Sequence, residues 1–317
     1  MSSTRQFIPF LILAVLLSGC LSGNRTQTYR AAVIIQEEPY EFWTSIKQGI
    51  ESAGKEFGVE FVQPPVSIGL ADEKKQIEAI KLAVKDKVDA ILLAPFVSAE
   101  MERWVDEAVR AEIPVVTIHS QFANRTGVAS VTEDYERTAE LVADALSQAK
   151  GGELVIVNSA SSDKSLAARQ RAIVDRLKAM KRFAILDTLT TTGDKLQVMA
   201  QTEALLKERE GLTVILGNCD SCAVGAALAV RNLGLQDEVA VIGFDSSESE
   251  IRLLEEELID AIIVQNPFAM GYVSVKTMID VVQRRGMEDA SVYTQPLMVT
   301  KEGLQQPELQ KLLYPFE

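Results

Sequence analysis

A unit made of a short apolar strand, a loop and an amphipathic helix recurs along most of this chain, and the recurrence restricts the folds open to it. In the first unit, an apolar run at residues 33–35 gives way to a polar, proline-containing loop, and apolar residues then follow at helical spacing until Gly58. Such alternation predicts an α/β fold with parallel sheets and right-handed crossovers. Because ligands bind at the carboxyl ends of parallel strands, this loop is a candidate site.

Strands and helices are predicted in alternation from residue 30 to residue 299. The predicted strands are 30–35, 59–62, 89–94, 113–118, 127–131, 154–157, 183–188, 213–216, 239–243, 261–264 and 292–299. The predicted helices are 41–57, 72–85, 98–110, 134–149, 166–180, 194–207, 221–233, 251–257 and 268–282. Two similar blocks of these units in tandem predict a two-lobed protein with a ligand between the carboxyl edges of its two sheets.

Charge and motif content count against several classes of function. The 317 residues carry a formal net charge of −13, which opposes binding to the phosphates of nucleic acid. The single histidine, His119, leaves no obvious zinc site or histidine-based catalytic cluster. The chain shows no glycine-rich phosphate-binding loop and no serine nucleophile elbow. We therefore expect a protein that is not an enzyme and that uses no cofactor and no metal.

The N-terminal segment has the pattern of an export signal. Arg5 supplies positive charge, an apolar run follows at 7–17, and the segment ending in Cys20 resembles the lipobox at which bacterial lipoproteins are cut. This predicts a lipoprotein signal peptide at 1–19, acyl chains including palmitate on Cys20, and a tether at 20–29. The mature protein would then be anchored to a membrane on its extracytoplasmic side. An ordinary secretory peptide with a chance cysteine is the alternative.

Two cysteines lie close together where a helix is predicted to begin. Cys219 and Cys222 form a Cys-x-x-Cys pattern, and a helix N-terminus lowers the pKa of a thiol there. Three interpretations stay open: a disulfide that rigidifies the loop, two buried free thiols, or a thiol-redox site. Export favours the disulfide.

Seven segments occur in an order that resembles the periplasmic sugar-binding proteins of the ribose/galactose type, the family related to the ligand-binding part of LacI-type repressors. The resemblance spans about residues 30–299 and is carried by the segments 41–49, 88–95, 113–117, 167–171, 218–226, 241–245 and 263–267. It implies a type I periplasmic binding protein: two Rossmann-like lobes with parallel sheets, joined by a three-segment hinge. Lobe 1 would comprise 30–131 plus 266–294, and lobe 2 would comprise 132–265 plus 295–317.

The resemblance also implies which residues contact a ligand. In this chain, Phe42 and Trp43 correspond to the aromatic residues that stack on the sugar in that family, and aromatic faces suit the C–H groups of a sugar ring. The residues implied to supply hydrogen bonds are Tyr40, Arg169, Asp245 and Gln265. A guanidinium offers five donors and a carboxylate about four lone-pair directions, so both suit several hydroxyl groups.

Structural roles are the alternative for each of these residues. Phe42 and Trp43 could serve only as core contacts of the first helical turn. Arg169 could be a solvated helix charge beside an acid, and Asp245 could cap the segment 246–257.

Two positions depart from the family pattern. His119 and Ser120 stand where sugar binders commonly carry an aspartate–arginine pair, and Cys219 stands in place of the asparagine before Asp220. Both His119 and Cys219 remain candidate ligand contacts, with a buried, satisfied imidazole as the alternative for His119. Fewer strong polar groups at the site predict a modified sugar, a polyol, a furanosyl compound or another less hydroxylated ligand.

The resemblance implies a lipid-anchored solute-binding protein, monomeric, that delivers a sugar-like molecule to an ABC importer. A ligand-sensing subunit for a membrane histidine kinase or chemoreceptor is the alternative, because the same outer surface would serve both partners. A thiol-redox lipoprotein that uses Cys219 and Cys222 is the third hypothesis.

Overall fold

The computed structural model of the chain describes residues 28–35, 41–62, 72–122, 127–160, 164–284 and 291–313. Strands within these residues are β1 (Tyr29–Ile34), β2 (Val59–Val62), β3 (Ala90–Leu93), β4 (Val115–Ile118), β5 (Val128–Glu133), β6 (Gly152–Ser159), β7 (Phe183–Ile185), β8 (Leu189–Thr191), β9 (Leu212–Gly217), β10 (Ala240–Phe244), β11 (Ala261–Val264), β12 (Ser291–Thr294) and β13 (Leu297–Val299).

Helices alternate with these strands through most of the chain. They are α1 (Glu41–Phe57), α2 (Glu73–Lys85), α3 (Ala99–Arg110), α4 (Tyr135–Ala145), α5 (Lys164–Met180), α6 (Lys195–Glu208), α7 (Asp220–Leu233), α8 (Glu248–Glu255), α9 (Pro267–Arg284) and α10 (Pro307–Leu313). The predicted α/β fold class is thereby confirmed. No helix within the described residues is long and apolar enough to cross a bilayer.

The strands form two separate sheets. The first has the order β12-β5-β4-β3-β1-β2, and the second has the order β13-β11-β10-β9-β6-β7, with β8 paired to the second half of β6. The chain passes between the sheets three times: after β5, after β11, and between β12 and β13. Helices α1 and α9 pack together beside the first sheet, and α4 and α5 pack together beside the second.

Local signals in the sequence account for several helix boundaries. The hydroxyl of Ser98 accepts a hydrogen bond from the amide of Met101 at 3.1 Å, so Ser98 caps α3 as its sequence position predicts. The segment before α8 forms a capping box between Ser247 and Glu250, and Asp245 is therefore not the cap of that helix.

Helices α1 and α9 approach each other through glycine. A Cβ atom on Gly49 would lie 2.1 Å from the carbonyl oxygen of Phe268, and one on Gly271 would lie 2.0 Å from the carbonyl oxygen of Ile46. The two backbones are thus in direct contact, which brings α9 onto the first sheet although α9 follows a strand of the second.

The predicted strand at 292–299 is wrong: it is two strands in two sheets. Strand β12 pairs in parallel with β5, and β13 pairs antiparallel with β11, so the second sheet is not wholly parallel either. Pro296 lies between them and has no amide hydrogen for a ladder bond, which explains the break.

Further elements differ from the sequence prediction, and three of the differences have a visible cause or concern a whole element. The predicted strand at 183–188 ends at Ile185, and a separate β8 follows, because the two segments pair with different halves of β6. Helix α4 ends at Ala145, where the Arg182 guanidinium donates to the carbonyl oxygens of Ser147 and Ala149 just beyond the helix. Helix α10, which begins at Pro307, was not predicted.

Candidate ligand-binding site

Polar side chains follow the carboxyl ends of strands in both sheets. His119 comes directly after β4, Asn218 after β9, Asp245 after β10 and Gln265 after β11, while Glu133 is the last residue of β5. All five are at least partly buried. Parallel strands bring their carboxyl ends to one edge of a sheet, so these side chains are collected into the region where the two sheets meet.

Two of these residues have a left-handed backbone. His119 has φ 68° and Asp245 has φ 87°, although neither is glycine. L-residues in this conformation cost about 1–2 kcal/mol. The chain therefore tolerates strain at equivalent points of the two sheets, and such strain is concentrated at functional sites in proteins.

An aromatic cluster forms the side of the site that belongs to the first sheet. The rings of Phe42 and Trp43 lie 5.3 Å apart at 88°, and the His119 ring lies 5.0 Å from Phe42 and 5.7 Å from Trp43. All three contacts are edge-to-face, a favourable geometry for π-systems. Trp43 is buried and also packs in the core, whereas Phe42 is half-buried and packs against that core, so the predicted core contacts of the first helical turn are present.

The imidazole of His119 also reaches across to the second sheet's helices. Its Nε2 lies 2.8 Å from the hydroxyl of Ser165 in the first turn of α5. Helix α5 packs against α4 and β7, whereas His119 extends from β4. This hydrogen bond thus joins the two sides of the site.

The side chain of Arg169 is fully buried and held on three sides. Its Nε donates to the side-chain oxygen of Asn218 at 2.8 Å, and its Nη2 donates to the Asn218 carbonyl at 2.9 Å. Its Nη1 lies 3.4 Å from the Glu133 carboxylate, and the guanidinium lies 4.3 Å from the ring of Phe244. Arg169 is therefore not a solvated helix charge; its orientation is fixed by protein partners.

A ladder of amides extends from Asn218 away from Arg169. The Asn218 Nδ2 donates to Asn158 at 2.7 Å, Asn158 donates to Gln170 at 2.5 Å, and Gln170 donates to Thr188 at 2.7 Å. Each amide uses both its donor and its acceptor here, which fixes the orientation of Asn218 and through it that of Arg169.

Asp245 is the acceptor at the centre of the site. Gln265 donates to its Oδ1 at 2.6 Å. Burial raises the pKa of the Asp245 carboxyl above 3.8; the positive charge of Arg169 opposes that rise and the negative charge of Asp220 adds to it. The Gln265 side-chain oxygen is buried and accepts no hydrogen bond from any described residue.

A second group of acidic residues lies behind Asp245. Ser247 donates to the carboxylate of Asp220, and the carboxyl of Glu250 is wholly buried. Burial, together with the charges of Asp220 and Asp245, raises the pKa of Glu250 well above 4.5. This side of the site is consequently rich in oxygen acceptors.

The structure joins Cys219 and Cys222 in a disulfide across the first turn of α7. A disulfide sulfur has no S–H group, so Cys219 has no donor for a ligand in this state. The bridge closes the turn 219–222, which directly follows Asn218, the partner of Arg169, and contains Asp220, whose charge acts on Asp245. The disulfide therefore restrains the backbone of a turn that carries residues of the site.

The structure brings most of the predicted site residues together. Arg169, Asp245, Gln265 and His119 interact directly or through their charges, and Phe42 and Trp43 contact His119. Tyr40 and Cys20 lie outside the described residues. Among the described residues, no group of three or more His, Cys, Asp or Glu side chains is arranged to hold a metal ion.

Sequence reasoning missed three residues of the site: Glu133, Ser165 and Asn218. Asn218 lies two residues after the end of a predicted strand, as Asp245 does, so its position was a usable signal. Glu133 lies in a strand that was predicted to end at 131, and Ser165 precedes a helix that was predicted to begin at 166.

Comparison with known proteins agrees with this geometry. A family model described as a periplasmic binding protein domain matches residues 31–286. The D-ribose/D-allose-binding protein of Pseudomonas aeruginosa is 28% identical over 265 residues, which cover 78% of this chain and 82% of that protein. The D-allose-binding periplasmic protein of Escherichia coli is 25% identical over 271 residues, 82% of this chain and 86% of that protein.

A solved structure shows the same arrangement. An ABC transporter solute-binding protein from Agrobacterium vitis, determined with bound D-fucose, is 26% identical, with a TM-score of 0.76 over 90% of this chain and all of that one. Sequence and fold agree, and this chain belongs to the periplasmic binding protein family.

Proposed function

We propose that this protein captures a sugar-like small molecule between its two sheets and delivers it to an ABC importer, without performing chemistry on it. The observation that carries the proposal is the meeting of two kinds of surface at the strand ends. The aromatic cluster of Phe42, Trp43 and His119 lies on one side, and the Asp245–Gln265 pair lies on the other. A sugar ring presents C–H groups to aromatic faces and hydroxyl groups to acceptors.

The relatives support the same function. The Pseudomonas and Escherichia relatives are named for the sugars that they bind, and the Agrobacterium structure is that of an ABC transporter solute-binding protein. A lobe division at 30–131 plus 266–294 and 132–265 plus 295–317 accords with the three chain crossings between the sheets. The lobes would close over the ligand about these crossings, and the permease would bind the closed form.

The proposed location is the extracytoplasmic side of a membrane, with a lipid anchor on Cys20. The support is the lipobox-like segment in the sequence and the name of the Escherichia relative, which is a periplasmic protein. Acylation of one cysteine with two chains would suffice for stable anchoring. A single lipid-anchored chain, acting as a monomer, fits a protein that passes its ligand to a permease in the same membrane.

A thermal-shift screen of the full chain in detergent against sugars and polyols tests the proposal. A ligand at 100 times its dissociation constant stabilises the folded state by about 2.7 kcal/mol, a readily measured shift. Asp245→Asn keeps the side-chain shape but removes the charged acceptor, so we expect at least about a tenfold loss of affinity.

Asp260→Asn provides the matched control. Asp260 is exposed, but its carboxyl likewise has a raised pKa, caused mainly by desolvation; it precedes β11 at the opposite end of the sheet and accepts from the amide of Val241. This variant is expected to lose stability and keep wild-type affinity. A chain that no sugar or polyol stabilises, or an Asp245→Asn variant with undiminished affinity, contradicts the proposal.

A further inference from the structure

Glu133 is a buried acid whose role the binding of a ligand does not by itself explain. It is 1% exposed and ends β5, at a point where the chain leaves the first sheet. One carboxylate oxygen lies 3.4 Å from Nη1 of Arg169, and the other accepts a hydrogen bond from the hydroxyl of Thr138 in α4. Glu133 therefore contacts Arg169, a candidate ligand-binding residue, but it is the last residue of its strand and does not lie beyond the strand end as His119, Asp245 and Gln265 do.

The charge of Arg169 is the one that Glu133 balances. Among the described residues, Arg169 is the only buried lysine or arginine, and a guanidinium stays protonated at every physiological pH. Without Glu133, the positive charge of Arg169 would offset the nearby carboxylates of Asp245 and Asp220. With Glu133, the charge of Arg169 is balanced within its own pair, and those two carboxylates make the site more negative than it would otherwise be.

The hydrogen-bonding groups that are left for a ligand also favour a neutral molecule with hydroxyl groups over an anion. Three N–H groups of Arg169 are taken by Asn218 and Glu133, which leaves two that no described residue accepts. Against these stand the Asp245 carboxylate and the buried oxygen of Gln265, which has no donor among the described residues. Acceptors of this kind need ligand hydroxyl groups and repel a carboxylate or phosphate.

We propose that Glu133 is a positioning residue that sets the charge selectivity of the site: by pairing with Arg169, it makes the site reject anionic derivatives of the sugars that it accepts. The inference rests on the proposed function, since it concerns which sugars bind. Glu133 acts through Arg169 and need not touch the ligand.

The test measures affinities of the full chain in detergent by calorimetry for three neutral sugars and their acids. The probes are D-glucose, D-galactose and D-mannose with D-glucuronate, D-galacturonate and D-mannuronate, acids that keep the sugar ring. For the wild-type chain we expect at least one neutral sugar to bind, and its acid to bind at least about tenfold more weakly. In Glu133→Gln the ratio of acid to neutral affinity should rise about tenfold or more, because Arg169 loses its counter-charge.

Three controls separate charge from structure. Glu133→Asp keeps the charge and should keep the ratio within about threefold of the wild type. Thr138→Val removes only the hydrogen bond to Glu133 and should leave the ratio unchanged. The double variant Glu133→Gln/Arg169→Gln replaces the pair by neutral groups and should also keep the wild-type ratio.

The outcomes distinguish the two proposals. If none of the six probes binds the wild-type chain, the selectivity role is overturned, whereas the proposed function stands or falls with the thermal-shift screen against sugars and polyols. If the wild type binds an acid as tightly as its neutral sugar, or if Glu133→Gln weakens both equally, the role of Glu133 alone is overturned. Should Glu133→Gln fail to fold, Arg169→Gln provides the test. This variant leaves the Glu133 carboxylate unpaired, which must lower the ratio of acid to neutral affinity about tenfold. An unchanged ratio overturns the selectivity role of Glu133.

Discussion

At the scale of single residues, the site is built from side chains that follow strand ends, and this part was predictable. His119, Asp245 and Gln265 each come directly after an apolar run, which the sequence displays without any tertiary information. Their partners were not predictable. Asn218 and Glu133 lie 49 and 36 residues from Arg169. Asn218 reaches Arg169 through packing within the second sheet's half, whereas Glu133 reaches it from the first sheet. The left-handed backbone of His119 and Asp245 was equally hidden, since no glycine marks either position.

The buried carboxyl of Glu250 gives stability a specific pH dependence. Burial, with the charges of Asp220 and Asp245, raises the pKa of Glu250 well above 4.5. The folded chain therefore binds this proton more tightly than the unfolded chain, so the contribution of Glu250 to stability is fully present below about pH 4.5 and declines as pH rises through the folded-state pKa.

Glu250→Gln removes this ionisation and keeps an oxygen for the Ser247 amide in the capping box. We expect the variant to lose less stability than the wild type between about pH 5 and pH 8, measured by calorimetry at both values. Glu248→Gln, an exposed change on the same helix, should follow the wild-type curve. Parallel curves for Glu250→Gln and the wild type would falsify the expectation.

At the scale of elements, the alternation of strands and helices was predictable and the final assignments to sheets were not. Helix α1 and strands β2 and β11 have the predicted bounds, because their apolar spacing is regular and glycine or polar residues bound them. The segment 291–299 misled the prediction, since its apolar residues continue on both sides of Pro296 while its two halves serve different sheets. Periodicity reports which face is buried but does not report the partner strand.

The crossing of α1 and α9 depends on two glycines. In Gly271→Ala the new methyl group would meet the Ile46 carbonyl oxygen at 2.0 Å, so the helices must move apart. We expect a loss of about 1–3 kcal/mol in the free energy of unfolding, measured by urea titration.

Ser52→Ala, on the exposed face of α1, controls for the change to alanine and should alter stability by less than about 0.5 kcal/mol. Equal midpoints for Gly271→Ala and the wild type would show that the helices are not in the contact described.

At the scale of the whole molecule, polar contacts at the carboxyl ends of the strands connect the two halves of the fold. The His119–Ser165 hydrogen bond and the Glu133–Arg169 pair both join an element of the first sheet to α5. The sequence predicted two sheets and a site between them, but it gave no indication of these contacts, which depend on how the two sheets face each other.

Removing the hydroxyl of Ser165 should weaken the contact between α5 and the loop after β4. Ser165→Ala loses the 2.8 Å hydrogen bond to His119, so we expect ligand affinity to fall about two- to tenfold, through faster dissociation measured by stopped flow. Ser274→Ala removes a buried serine hydroxyl in α9 that donates to Met270, and it should leave dissociation unchanged. Equal dissociation rates for Ser165→Ala and the wild type would show that this bond does not hold the ligand in place.

The break at Pro296 has a consequence for how the chain acquires its structure during synthesis. Strands β12 and β13 supply an edge to each of the two sheets, and only two residues separate them. The first sheet is incomplete until residue 294 has been made and the second until residue 299, so an export pathway that carries unfolded chains would meet a nascent protein that has closed neither sheet for most of its synthesis. A chain that stopped before residue 291 would lack an edge strand on both sheets at once, and its exposed strand edges would be open to aggregation.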